Sequence, residues 1–161
     1  MTQPATKQKR PMDLLFWTVF GAGTLLGLVP IWITDLLPLL DAASHLHLIT
    51  IIHEFDNVAL YRHHYSESNA IVPYISYYKL VDWLAYLGGV EWANKVVLSV
   101  SVGALPLAAL HLIRRLGHDR WLVLGVFPWM LNADFFMGFF NYLMSIPLFL
   151  WILAEHIRFL Q

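Results

Sequence analysis

Six ionisable side chains stand close together between residues 41 and 56: Asp41, His45, His47, His53, Glu54 and Asp56. If Leu39 to Phe55 forms one helix, Asp41 and His45 lie four residues apart and share a face. His47, Thr50 and Glu54 follow at i, i+3 and i+7 as a second polar stripe. Leu40, Ala43, Leu46 and Ile49 are then left to pack on apolar neighbours. A carboxylate beside an imidazole can take a proton from a hydroxyl or hold a cation. The plainer role for Asp41 is a helix cap that satisfies free backbone N–H groups. Asp35 is the second candidate acid, should the register of this stretch differ.

Further along, Arg62, His63 and His64 stand between Tyr61 and Tyr65. Arginine forks onto phosphate oxygens, so this group suits an anionic headgroup or a pyrophosphate. The alternative is a solvated loop. Asn132, Asp134 and Asn141 are the polar residues between two late apolar segments, and an ionisable group there is a functional candidate. Asp134 escapes that reading if it sits in a turn at the surface. The Asp41–His45 spacing suits metal ligands, but a site normally needs three or four. His53-Glu54-Phe55-Asp56 is not the HExxH pattern, and no metal site is assigned. The sequence has no phosphate-binding glycine loop and no GxSxG.

The frame around these residues is apolar. Of 161 residues, 58% are hydrophobic and 13% charged, against about a quarter charged in soluble domains. That composition belongs to an integral membrane protein, with the lipid bilayer as its first partner. Net charge is −1, which gives no reason to expect nucleic acid. With no cysteine, there is neither a disulfide framework nor a thiolate metal site.

Leu14 to Thr34 holds 21 residues without an ionisable side chain. At about 1.5 Å per residue it spans a hydrocarbon core of about 30 Å. It is longer than a signal-peptide core and ends in Pro30, Trp32 and Asp35 rather than at a small-residue cleavage site. Lys7, Lys9 and Arg10 precede it and place the N-terminus in the cytoplasm. Residues 35–95 then form an extracytoplasmic loop. Within it, Tyr61 to Tyr74 reads as a loop. Tyr74 to Leu87 has apolar residues at 74, 77, 78, 81, 84 and 85 with Lys79 and Asp82 opposite, an amphipathic interfacial helix ended by Gly88 and Gly89. Reading residues 71–90 as a span instead would bury Lys79 and Asp82 in lipid.

Val96 to Ile113 is the next span, closed by Arg114 and Arg115. Trp121 to Ala154 is 34 residues with one charge. One helix of that length would be about 51 Å long, too long for one crossing. The break falls at NADFFMGFFN, giving spans near 121–135 and 138–154. The first of the two is short, with a re-entrant form as its alternative. The expected architecture is a single all-α membrane domain of four spans (14–34, 96–113, 121–135, 138–154) with a helical outer loop after the first.

Two segments carry a resemblance: LPLLDAASHLHLI, opening the outer loop, and GFFNYLMSIPL (Gly138 to Leu148). From about residue 14 to 155 the chain is similar to the N-terminal part of a bacterial family of multi-pass membrane proteins. That family in turn resembles the glycosyltransferase C superfamily. The resemblance implies an enzyme of the cell (inner) membrane that takes a sugar from a polyprenyl-phosphate donor and passes it, with inversion, to an acceptor. An acid in the first outer loop serves as base; Asp41 matches that position best and Asp35 is the other acid there. His45 would orient Asp41, and Arg62, His63, His64 and Asn141 would meet the donor. Some members use a divalent cation. This chain departs from the family in having Ala42 where a second acid often follows, and in having fewer spans than the superfamily core. It is therefore expected to be an N-terminal part. The alternative is a non-catalytic scaffold or assembly subunit whose outer loop binds other membrane proteins.

Overall fold

The computed structural model describes residues 11–35, 37–66 and 75–160. Leu36 and the part of the expected loop at 67–74 lie outside them. Every regular element among the described residues is helical. In chain order these are α1 (Pro11–Ile33), α2 (Ala42–His53), α3 (Ala59–His64), α4 (Ile75–Gly88), α5 (Val90–Arg115), a 3-10 helix (Arg120–Trp129), α6 (Ala133–Met137) and α7 (Phe140–Leu160).

Among the described residues, three helices, α1, α5 and α7, are long and apolar enough to cross a membrane. Their outward faces carry Leu14, Leu25, Leu26, Phe149 and Ile152, all at least 64% exposed. A continuous surface of that kind suits hydrocarbon and not water. The chain is a membrane-embedded helical bundle.

α5 is the central element and touches α1, α2, α4, α7 and the 3-10 helix. It runs antiparallel to α1. At one end, here the upper, the Lys95 ammonium donates to the Thr34 carbonyl at 2.5 Å and the Trp32 indole N–H donates to Ser99 at 2.9 Å. At the lower end the Arg114 guanidinium lies 5.3 Å from the ring of Trp17. α7 runs parallel to α5. Tyr77 bridges their upper ends through Asn94 and Phe140, and His111 meets Glu155 near their lower ends.

Two parallel helices need a return between them, and the sequence places it correctly but not its form. Residues 120–129 form a 3-10 helix in place of an α-helical span, and among the described residues three helices, not four, have the length to cross. The return runs beside α1. Trp121 packs on Phe16 at 5.3 Å and Phe127 on Phe20 at 5.9 Å. Phe127 also rests over Gly23 and Met130 over Gly27. The physical reason is length. Fifteen residues of α-helix reach only about 22 Å. A 3-10 helix rises about 2.0 Å per residue, so its ten residues cover about 20 Å before α6 adds the rest. Its i→i+3 bonds keep the backbone satisfied at that depth.

The upper layer corrects three further expectations. α2 is shorter than Leu39 to Phe55, and its buried face is Ala42, His45, Leu46 and Ile49. Leu40 is 70% exposed and Ala43 faces outward. Part of the expected loop is helical, as α3. Asp82 does not stand opposite the packed face: it is half-buried and bonds His53 of α2 at 2.9 Å. α4 follows its expected pattern, burying Tyr77, Val81 and Ala85 against the bundle. α5 begins at Val90, six residues before the expected span.

Candidate functional site

Asp41 stands immediately before α2, in the cap position, but its side chain accepts no capping hydrogen bond. What holds it is backbone. The Leu40 N–H donates to the Phe136 carbonyl at 3.1 Å and the Asp41 N–H to the Met137 carbonyl at 3.3 Å. Gly138 closes this contact. Its φ is +85°, and a Cβ built there would lie 3.1 Å from the Asp41 Cβ and 3.2 Å from the Asp41 nitrogen. Only a residue without a side chain lets the turn after α6 lie this close to Asp41. That turn forms because Asn132 caps α6, accepting from the Phe135 N–H at 3.0 Å. Asp134 then falls in the first turn of α6, half-buried.

His45 sits one turn into α2, its N–H bonded to the Asp41 carbonyl at 3.0 Å. The imidazole is 8% exposed, packed 5.3 Å from the ring of Phe140 and 5.7 Å from that of Tyr78. Nδ1 meets the Tyr78 hydroxyl at 2.8 Å, and the ring also bonds the Gly138 backbone. Burial lowers the His45 pKa below 6.5, outweighing the opposing pull of the Asp41 charge and the Gly138 bond. A neutral ring that donates to the carbonyl and accepts at Nδ1 from Tyr78 fits this environment. Behind it, the fully buried Tyr77 donates to the Asn94 side-chain oxygen. Burial raises the Tyr77 pKa well above 10, so the phenol keeps its proton.

Asp41, His45 and the start of α7, where Asn141 follows Phe140, therefore meet at one junction. The other candidates do not join it. Asp35 is exposed just past the end of α1. α3 has no buried residue, and Arg62 donates to the Asp56 carbonyl of its own loop. His63 and His64 face each other at 4.8 Å. Among the described residues, no hydrogen bond, ion pair or ring contact links Arg62, His63 or His64 to Asp41 or His45. Nor do three His, Asp or Glu side chains among them converge as metal ligands.

Beside the junction lies an open crevice of about 260 Å³, lined by Pro30, Ile33, Leu37, Leu39 and Phe135. Its walls are the chain leading into Asp41 and the chain that Asp41 bonds. The Thr34 hydroxyl is its buried polar atom, without a hydrogen-bond partner among the described residues.

Sequence reasoning missed Tyr77, Tyr78, Asn94 and Gly138. Asn94 was the findable one, as an amide in the first turns of an otherwise apolar helix. No family model matches the chain, and no curated protein or solved structure matches it either.

Proposed function

We propose that this chain is the N-terminal part of a membrane glycosyltransferase that uses a polyprenyl-phosphate sugar. The reading rests on one observation: Asp41 is fixed in place by backbone bonds at the edge of an apolar crevice, with its carboxylate not engaged in capping its helix. A carboxylate held this way can act as a general base. The acceptor hydroxyl gives its proton to Asp41, and its oxygen attacks the anomeric carbon from the face opposite the phosphate. The anomeric C–O bond breaks with its electron pair going to the phosphate, and the configuration inverts. The crevice would take the first part of the lipid tail. His45 is a positioning residue, since its ring bonds reach Tyr78 and Gly138. The exposed Arg62, His63 and His64 would meet the donor phosphate, with Asn141 at the junction. Arg114, Arg115, Arg120 and Arg158 collect at the lower end, which favours a cytoplasmic lower side and an extracytoplasmic Asp41.

A scaffold role is the second reading, favoured by the way His45 with Tyr78 and Tyr77 with Asn94 tie α2, α4 and α5 into one packed layer. Purified protein in nanodiscs, given a panel of polyprenyl-phosphate sugars with and without a divalent cation, separates the two. The transferase reading expects donor binding and sugar release that disappear in Asp41→Asn. A folded protein that binds no donor supports the scaffold.

A further inference from the structure

Lys95 stands in the second turn of α5, half-buried, and its partners among the described residues are neutral. The ammonium donates to the Thr34 carbonyl at 2.5 Å and lies 5.9 Å from the ring of Trp32. It forms no ion pair among the described residues; Asp35 and Glu91, the acids closest to this contact along the chain, are exposed. Closing the end of α1 uses one of its three N–H donors. A partly desolvated ammonium gains most from an anion, and the described residues supply none.

Thr34 joins this cation to the crevice beside Asp41. Its carbonyl accepts from the ammonium, and its side chain lines the crevice. The Thr34 hydroxyl is buried without a hydrogen-bond partner among the described residues, where a buried hydroxyl normally has one. Pro30 and Ile33 precede Thr34 on α1 and so lie deeper in the bundle. With Leu37, Leu39, Phe135 and Phe136 they give the crevice an apolar body. An apolar slot, an unused hydroxyl and a cation without a counter-charge thus meet at one residue.

We propose that Thr34 and Lys95 bind the phosphate of an isoprenoid phosphate whose chain runs into the crevice. The isoprenoid nature of the chain rests on the proposed transferase reading, and the inference names the residues that anchor its donor. A neutral alcohol could meet the Thr34 hydroxyl but would leave the ammonium without an anion. A phosphate takes both groups, through charge-assisted hydrogen bonds. Arg62, His63 and His64 belong to a helix with no buried residue. Exposed ion pairs contribute little, so these three stay on the water side of the same phosphate while Lys95 and Thr34 carry the affinity.

Binding to the purified chain in phosphatidylcholine nanodiscs tests this, read by native mass spectrometry and by the rise in unfolding temperature. The probes are polyprenyl phosphate, the matching polyprenol, phosphatidylglycerol and inorganic phosphate. Wild type should hold polyprenyl phosphate in preference to the other three. Lys95→Gln should weaken that binding about tenfold or more, and Lys95→Arg should keep most of it. Thr34→Val should weaken it by a similar factor without lowering the unfolding temperature of the ligand-free chain, since the hydroxyl it removes has no partner among the described residues. Arg62→Gln should change it by less than about fivefold. If Lys95→Gln fails to fold, Thr34→Val decides alone. Equal binding of polyprenol or of phosphatidylglycerol would overturn the proposal, as would displacement by inorganic phosphate or undiminished binding by Thr34→Val. Sugar transfer lost in Asp41→Asn but intact in Lys95→Gln would sink this assignment and leave the transferase reading standing. Polyprenyl phosphate held through Lys95 by a chain that transfers no sugar would keep the assignment and remove that reading.

Discussion

The two ends of the bundle each use a histidine to tie helices together, and they use it in opposite ways. At the upper junction His45 is buried with a hydroxyl and a backbone group as partners, and burial drives it neutral. At the lower end His111 is 21% exposed and meets a carboxylate already shared with Arg115 and Arg158. His45 packs among Tyr77, Tyr78 and Phe140, and His111 stacks on Trp151. The difference is the cover: α2 and α4 seal the upper junction, whereas the described residues of the lower one are the ends of α5 and α7. A sealed site cannot hold an unpaired cation, so it selects neutral hydrogen bonds. An end near water and headgroups tolerates ions, and gains little from each pair.

The sharpest way to break this contrast is at two glycines of the same hand. Gly138 and Gly117 have φ of +85° and +72°. Alanine at either costs about 1–2 kcal/mol for the left-handed backbone. At Gly138 crowding against Asp41 adds about 1–3 kcal/mol; at Gly117 nothing lies within 4 Å. Thermal unfolding in detergent should show Gly138→Ala as clearly the worse. Next is Asn94→Ala, which leaves the Tyr77 phenol buried without its acceptor and should cost about 1–3 kcal/mol.

Acid gives a smaller effect. The folded pKa of His45 lies below its unfolded value of 6.5. Below pH 6.5 the unfolded chain binds a proton that the folded chain does not, so stability falls with pH until the folded pKa is passed. His45→Gln should flatten that part of the profile. Smallest is salt. Between 0.1 and 1 M the screening length falls from about 10 to about 3 Å. Glu155→Gln should lower the unfolding temperature only at low salt, and the penalty of Asn94→Ala should not change with salt.

The same contrast governs what the sequence could disclose. The spans of α1, α5 and α7 were legible because uncharged length is counted directly, and α4 because its period is unbroken. The one-turn separation of Asp41 and His45 is a matter of spacing, but the bonds of the imidazole to Tyr78 and the Gly138 backbone were not legible in it. The 3-10 form of the return was not legible: apolar residues look alike in either helix, and only the distance to be covered, set by α1, decides between them. His45 to Tyr78 and Tyr77 to Asn94 are contacts between helices, and no local pattern encodes them. The buried face of α2 was misplaced because His45 counted as polar, whereas its neutral ring packs as an aromatic.

The central claim is that Asp41 is held for chemistry rather than for stability. Sugar transfer from a polyprenyl-phosphate donor, measured together with unfolding temperature in Asp41→Asn and Asp35→Asn, tests it most directly. The account expects transfer to vanish in Asp41→Asn and persist in Asp35→Asn, with the unfolding temperature of both close to wild type. Undiminished transfer by Asp41→Asn, or a loss of transfer that only tracks a loss of fold, would contradict it.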